Sequence, residues 1–419
     1  MTNAFHYHER RLYCEDVPAE LLVAEHGTPL YVYSRASIVD RYRAFRAAFH
    51  ALDPMIAYSV KANGNLAVLR VLAEEGAGAD IVSGGELFRA QLAGIPPAHT
   101  LFSGVGKTVT ELAAALDAGI YAFNVESAGE LYALSDLAAA MDTRAPIALR
   151  VNPDVESPTP HYYTATGHGT TKFGIPYDDA EALYAQAAQL PGIHLRGIDV
   201  HIGSQIVEVE PYCLAVQRVL QLVDRLSTSG IDLEFIDMGG GFGVSYDDRE
   251  GPPAEVFAVE LVPLLQRSGL RVVFEPGRFI VGPAGVLLTR VLYVKRMAGK
   301  IFIITDAGMN DLLRPSHYDS FHRVDPVSIL AGRETVRVDV VGPICESGDF
   351  LALDRPLARP EPGELLAIGT TGAYGFSMAS TYNARPRPAE VLVAGAAHRV
   401  VRRRETYHDL VRGEIELLD

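Results

Sequence analysis

From residue 55 onward the chain repeats one pattern: a short uninterrupted apolar run, then an amphipathic stretch. The runs are Met55–Ala62, Gly78–Ser83, Thr100–Gly104, Tyr121–Ser127, Pro146–Pro153, Leu195–Gly203, Leu233–Gly241 and Arg271–Gly277, eight in all. Between them lie Leu66–Glu75, Glu86–Ala93, Glu111–Ala118, Glu130–Met141, Ala180–Leu190, Tyr212–Ser227 and Val256–Arg267. Apolar residues recur there at three- and four-residue spacing, as a helix packed on a sheet requires. Strands covered on both faces read as continuous apolar runs, which is the signature of a parallel sheet. Eight such units predict a closed (β/α)8 barrel of the TIM type, with an open doubly wound sheet as the alternative. Both architectures carry their active sites at the C-terminal strand ends. Here the runs end in Lys61, Asp80, Asn124, Asn152, His201, Gly239-Gly240-Gly241 and Glu275.

The pattern changes after about Pro283. Val286–Arg296, Lys300–Thr305, Thr335–Val341, Phe350–Leu353, Glu364–Gly369 and Ala389–Arg403 are β-branched runs without long helices between them. They predict a second, mostly β domain of sandwich or barrel type. The opening segment Phe5–Val17 can add a strand to it. The expected division is a barrel over 28–283 and a discontinuous β domain over 1–27 and 284–419. Asn152–Ile175, rich in Pro and Gly, reads as a long loop over the site, of the length that lids have.

The formal charge of −15 argues against nucleic acid or an anionic membrane as the main partner. No apolar stretch is long enough to cross a bilayer, and the first residues lack a basic-then-apolar export pattern. Cys14, Cys213 and Cys345 are scattered without metal-ligand spacing. Free thiols in a reducing cytoplasm, and no metal site, are expected.

Lys61 ends the first apolar run, and lysine is among the residues least often buried without a partner. Burial would make its amine nucleophilic, the property used to hold pyridoxal phosphate (PLP). A lysine snorkelling to solvent is the competing reading. Other signals are equally two-sided. The Gly239-Gly240-Gly241 cluster suits backbone N–H groups approaching a phosphate, or simply a tight turn. Glu275, in Glu275-Pro276-Gly277-Arg278, could face a protonated pyridine nitrogen or pair with Arg278. His201, in His201-Ile202-Gly203-Ser204, could stack on a planar ring or be a satisfied polar group. Cys345 beside Glu346 could donate a proton or be inert. Arg314, in the stretch Asp306–Tyr318, could bind a carboxylate or lie on the surface.

The order and spacing of these elements, with Gly372-Ala373-Tyr374-Gly375 and Gly372–Val393, resemble the PLP-dependent decarboxylases of the alanine-racemase-like fold over nearly the whole chain. The resemblance implies decarboxylation of meso-2,6-diaminopimelate to L-lysine and carbon dioxide, the last step of lysine biosynthesis. A related carboxylate-bearing amino acid as substrate, or a non-catalytic homologue, are the alternatives. It further implies that Lys61 holds the cofactor, that Asp80 and Glu86 support that side of the ring, and that His201 stacks on it. Ser204, Gly240, Gly241, Gly277 and the backbone of Arg278 would bind phosphate, and Glu275 would pair with the ring nitrogen. Arg278, Arg314 and Tyr318 would hold the distal end of the substrate, Glu346 its distal amine, and Tyr374 both cofactor and substrate. Cys345 would return the proton, and a homodimer would share its sites, with Cys345 and Glu346 reaching into the partner's. Phe279 and His317 depart from the family pattern at positions that bear on pocket shape.

An acid at 275 also makes chemical sense without the resemblance. A carboxylate keeps a ring nitrogen protonated and so favours an electron-sink reaction. A distal arginine pair suits a substrate with a remote carboxylate, since one lacking it would leave buried guanidinium groups unpaired.

Overall fold

A computed structural model of the chain describes residues 4–155, 171–247 and 251–418. The chain forms two compact units, one of residues 42–244 and 251–279, the other of residues 1–41, 245–250 and 280–419.

The first unit is the barrel. Its strands are Met55–Ser59, Gly78–Ile81, Thr100–Phe102, Ala122–Val125, Ala145–Asn152, Ile193–Asp199, Phe235–Asp237 and Arg271–Phe274. Every neighbouring pair is parallel, from Ala57 beside Gly78 round to Val273 beside Met55. The pairing of the fourth strand with the fifth leaves no open edge, which settles the choice in favour of a closed barrel. Met55, Ala57, Leu101, Ala122, Ala148, Phe235 and Val273 pack as one buried cluster. Phe279 belongs to a second aromatic core: it is 1% exposed and its ring meets Phe45 edge-on at 5.5 Å. Its size therefore fills the barrel wall.

Several strands stop short of the apolar runs. Lys61 lies in a 3-10 turn, Val60–Ala62, and Glu275 lies just beyond Phe274. The ladder ends where the chain must turn outward into the next helix. Helices begin earlier than periodicity alone indicates, because Ser and Thr cap them. Ser83 Oγ accepts from the N–H of Glu86 at 3.2 Å, and Ser127 Oγ does the same for Glu130 at 3.2 Å. Thr108 and Glu111 form a reciprocal capping box. Each cap contributes about 1 kcal/mol. The first two are the same local structure used twice, Ser83-Gly84-Gly85-Glu86-Leu87 and Ser127-Ala128-Gly129-Glu130-Leu131. In each the glutamate also accepts a backbone N–H from four residues upstream, Val82 or Glu126.

The second unit is β-rich. Its main sheet runs Phe350–Ala358, Thr335–Val341, Lys300–Thr305, Gly285–Met297, Leu30–Ser34, Ala389–Ala394 and Ala397–Arg402. Leu365–Ile368 pairs with both Gly285–Met297 and Val324–Pro326. The expected single run Ala389–Arg403 is a hairpin, turned at Gly395 with φ +60°. Leu30–Ser34 is buried throughout and lies between Gly285–Met297 and Ala389–Ala394. The opening segment folds as its own three-stranded sheet, Phe5–His8, Arg11–Cys14 and Val17–Pro18. The core under these strands includes Leu12, Leu22, Leu30, Val32, Leu288 and Val391. The greater part of the long loop expected over 152–175, residues 156–170, lies outside the described residues. No helix among the described residues is long and apolar enough to cross a membrane.

Candidate active site

The C-terminal strand ends of the barrel gather a dense set of ionisable groups. Lys61 Nζ contacts Asp80 Oδ2 closely and donates to Ser59 Oγ at 3.3 Å. Asp80 lies one residue before the end of the second strand and is fully buried. Its other oxygen, Oδ1, has no hydrogen-bond partner among the described residues. Ser59 Oγ lies 2.7 Å from Asp80 Oδ2 and 3.1 Å from the carbonyl of Glu275, so one hydroxyl ties the first, second and eighth strand ends together. Glu86, on the helix that follows the second strand, is pushed up to about 7 by burial, opposed by the Val82 N–H and by Lys61.

Glu275 is 5% exposed. Ser103 Oγ and Asn124 Nδ2 each donate to its Oε1 at 3.4 Å. Asn124 Nδ2 also reaches Asp237 Oδ2 at 3.2 Å. Glu275, Asp237 and Asp199 bring one carboxylate oxygen apiece within 4.8 Å of one another. Burial, then repulsion from Asp237, Asp80 and Asp199, drives the Glu275 carboxyl well above the ordinary carboxylate range. Burial likewise raises Asp237, to about 6, against the pull of the Gly239 N–H. Asp199 rises well above its ordinary value, first through burial and then through Asp237. Arg150 meets this cluster, with Nε 3.8 Å from Asp199 Oδ2 and one terminal nitrogen 2.9 Å from Glu126 Oε1. Two cations, Lys61 and Arg150, therefore face five carboxyls: Asp80, Glu126, Asp199, Asp237 and Glu275.

His201 sits beyond the sixth strand. Its Nδ1 accepts from the Gly240 N–H at 3.2 Å, so the ring is neutral with its proton on Nε2. Burial, with the positive charges of Arg150 and Lys61, lowers its pKa well below the usual histidine value. The glycines beside it are required by packing. A Cβ on Gly240 would lie 2.3 Å from the Glu275 carbonyl, and Gly241, at φ +94°, would press on the Gly203 carbonyl at 2.4 Å. A Cβ on Gly277 would come within 2.9 Å of Ser59 Cβ. Arg278 donates to Ser204 Oγ at 3.0 Å, joining the sixth and eighth strand ends.

The structure thus assembles Lys61, Asp80, Glu86, His201, Ser204, Gly240, Gly241, Glu275, Gly277 and Arg278 at one end of the barrel. Sequence reasoning did not assign chemistry to Ser59, Ser103, Arg150, Asp199 and Asp237. Acids and an arginine inside apolar runs, as in Ile198-Asp199-Val200 and Leu149-Arg150-Val151, were the available signal.

The β-rich unit carries the remaining candidates. Arg314 opens the short helix Arg314–Tyr318 and is buried. Its guanidinium lies over the Tyr246 ring at 4.9 Å, with the Tyr318 ring at 6.0 Å. Arg314 Nε donates to His322 Nε2 at 3.3 Å and a terminal nitrogen to Ser320 Oγ at 3.2 Å. His317 is exposed and meets Tyr318 edge-on at 4.5 Å. Cys345 is exposed, and its N–H donates to Asn383 Oδ1 at 2.8 Å. Glu346 accepts from the Tyr382 hydroxyl and raises that phenol's pKa. The buried Asp349 carboxylate braces this loop, accepting the N–H groups of Met309 and Ile344 at 2.6 Å each. Tyr374 stands in a turn at φ +55°.

The family model for the pyridoxal-binding domain of pyridoxal-dependent decarboxylases matches residues 35–282. The chain belongs to the pyridoxal-dependent decarboxylases. It is 47% identical over 407 residues to the diaminopimelate decarboxylase of Neisseria meningitidis serogroup B, covering 97% of this chain and 98% of that one. It is 49% identical over 412 residues to the diaminopimelate decarboxylase of Pseudomonas aeruginosa, covering 98% and 99%. Within the class, these relatives place the chain in the diaminopimelate decarboxylase family. Among solved structures, diaminopimelate decarboxylase from Helicobacter pylori complexed with L-lysine superposes with a TM-score of 0.91 at 41% identity, covering 95% of this chain and 100% of that one. The M. jannaschii diaminopimelate decarboxylase in complex with L-lysine gives 0.94 at 34% identity, covering 99% of each.

Proposed function

We propose that the chain removes carbon dioxide from meso-2,6-diaminopimelate to give L-lysine, using pyridoxal phosphate, as a cytoplasmic homodimer. The observation that carries this reading is Glu275, a buried acid whose neighbours are themselves acids. Such a cluster is stabilised by an added cation, and a protonated ring nitrogen is one. The surplus of carboxyls over cations around Glu275 fits the protonated ring nitrogen of such a cofactor, and the open Asp80 Oδ1 leaves an acceptor beside Lys61. Glycine backbone at Gly241 and Gly277, beside Gly240 whose N–H is held by His201, would offer N–H groups to a phosphate.

Bound pyridoxal phosphate supplies the sink for the electron pair left at Cα when carbon dioxide departs. Lys61 would hold it through Nζ, with Asp80 and Ser59 orienting that amine. His201, being neutral, would lie on the ring without competing for its positive charge. Glu275 would hold the ring-nitrogen proton, while Asn124 and Ser103 fix its carboxyl. Ser204 and the Arg278 backbone, with the three glycines, would hold the phosphate. Arg278, Arg314 and Tyr318 would anchor the carboxylate that is kept, and Glu346 the distal amine. Tyr374 would contact both molecules. Cys345 would deliver the proton to Cα from a loop braced by Asp349, across the dimer.

The test is direct. Purified protein incubated with pyridoxal phosphate should convert meso-diaminopimelate to lysine and carbon dioxide, and should leave lysine and ornithine untouched. Absence of lysine from a protein that has taken up the cofactor would overturn the reading.

A further inference from the structure

We propose that His322 is a positioning residue for Arg314, setting affinity for the retained carboxylate rather than turnover. The inference rests on the reading of Arg314 as that carboxylate's partner.

His322 is fully buried. Its Nδ1 lies 2.9 Å from the Gly369 carbonyl, which can only accept, so Nδ1 carries the proton. Its Nε2 lies 3.3 Å from Arg314 Nε, and a guanidinium can only donate, so Nε2 presents its lone pair. Both bonds exist together only in the neutral Nδ1–H tautomer. A protonated ring would set an N–H against the N–H of a cation.

This ring stands on rigid backbone. Val324 pairs with Ile368, and the Gly369 N–H donates to the Arg323 carbonyl at 2.9 Å. The imidazole therefore refers the guanidinium to the end of the strand Leu365–Ile368. Ser320 takes a second N–H at 3.2 Å, and the Tyr246 ring supports the plane at 4.9 Å. Arginine recognises carboxylates through a planar fork, and fixing that plane beforehand removes the cost of ordering it on binding. The bond from His322 sets the rotation of the fork about its own axis, which is the coordinate that carboxylate recognition reads.

Two polar substitutions separate the bonds. His322→Gln keeps an acceptor at the level of Nε2 and can still receive Arg314. His322→Asn reaches only the level of Nδ1, keeping the Gly369 bond and losing the Arg314 bond. On cofactor-loaded protein, H322N should raise KM for meso-diaminopimelate about tenfold with kcat within about twofold, as loss of one charge-assisted bond predicts. H322Q, which keeps the Arg314 bond and gives up only the Gly369 anchor, should raise KM by clearly less than H322N does, with kcat within about twofold. Equal KM shifts in the two variants, or a loss confined to kcat, would overturn the proposal. Arg314→Lys, measured alongside, separates the two ideas. If R314K leaves KM unchanged, the reading of Arg314 fails and the proposal falls with it. If R314K raises KM and H322N does not, the role of His322 alone fails. Nitrogen-15 NMR of histidine-labelled, unsubstituted protein needs no variant to fold. It should report the Nδ1–H tautomer at His322, and an Nε2–H or doubly protonated ring would overturn the proposal.

Discussion

The two units hold their chemistry in place by different means. In the barrel, the functional groups stand within the last residues of parallel strands, as Ser59, Asp80, Asn124 and Asp237 do, or within five residues beyond them, as Lys61, His201, Ser204, Glu275 and Arg278 do, and hold one another. Ser59 links Asp80 to the Glu275 carbonyl, Asn124 links Glu275 to Asp237, and Arg278 links to Ser204. In the β-rich unit, Cys345, Glu346 and Tyr374 stand on turns, and Arg314 and Tyr318 on a short helix. Tyr374 and Asn383 both sit at φ +55°, and the Cys345 loop is braced by one buried carboxylate, Asp349. Burial separates the regions further: Asp80, Asp237 and Glu275 are closed off, whereas Cys345 is exposed. The barrel thus sets charge, through desolvation and repulsion among acids. In the other unit the Cys345 turn is presented outward while Arg314 is enclosed by its neighbours.

The sharpest way to break this contrast is Lys61→Ala. It should abolish lysine formation, and with it the visible absorbance of lysine-bound pyridoxal. A variant that keeps that absorbance would show that the barrel end does not depend on this amine. Cys345→Ala should leave cofactor uptake intact and lower kcat by about 10²–10⁴-fold, the usual worth of a positioned proton donor. Mixing the K61A and C345A proteins should restore up to about a quarter of parental activity if each site draws on both copies of a symmetric dimer. No recovery in a mixture shown to exchange subunits would place all the chemistry within one chain. Glu275→Gln should cost about 10²–10³-fold in kcat, the range seen when one preorganised electrostatic group is removed. Glu86→Gln gives the smallest effect. The Glu86 carboxyl is raised to about 7 in the folded chain, so it binds more protons folded than unfolded. Its contribution to stability is full below its ordinary value of 4.5 and is lost as pH rises through about 7. Thermal melts of cofactor-free E86Q should therefore decline less than the parent across that window.

The barrel was legible because its physics is periodic. Apolar runs and three- and four-residue spacing report strands and helices without reference to distant contacts. The boundaries were less legible: Lys61 and Glu275 read as strand ends, yet the ladder stops before them. The hairpin at Gly395 was hidden inside a β-branched run, since one positive-φ glycine leaves little mark on composition. Among the site residues, Lys61 and the glycine cluster announced themselves by type and place. Asp199, Asp237 and Arg150 did not, because within an apolar run a charged residue gains its meaning from partners on other strands. His322 lay further still from view, since its role depends on Gly369, 47 residues away.

The repeated turn at Ser83–Leu87 and Ser127–Leu131 carries an evolutionary consequence. The same cap, glutamate and leucine follow two strands, and the residue three before each serine differs: Asp80 in one copy, Asn124 in the other. One copy places an acid under an amine, and the other places an amide against Glu275. The cassette keeps its shape while that position changes its chemistry. Heritable variation can therefore explore new reactivity at the strand tip without renegotiating the fold beneath it.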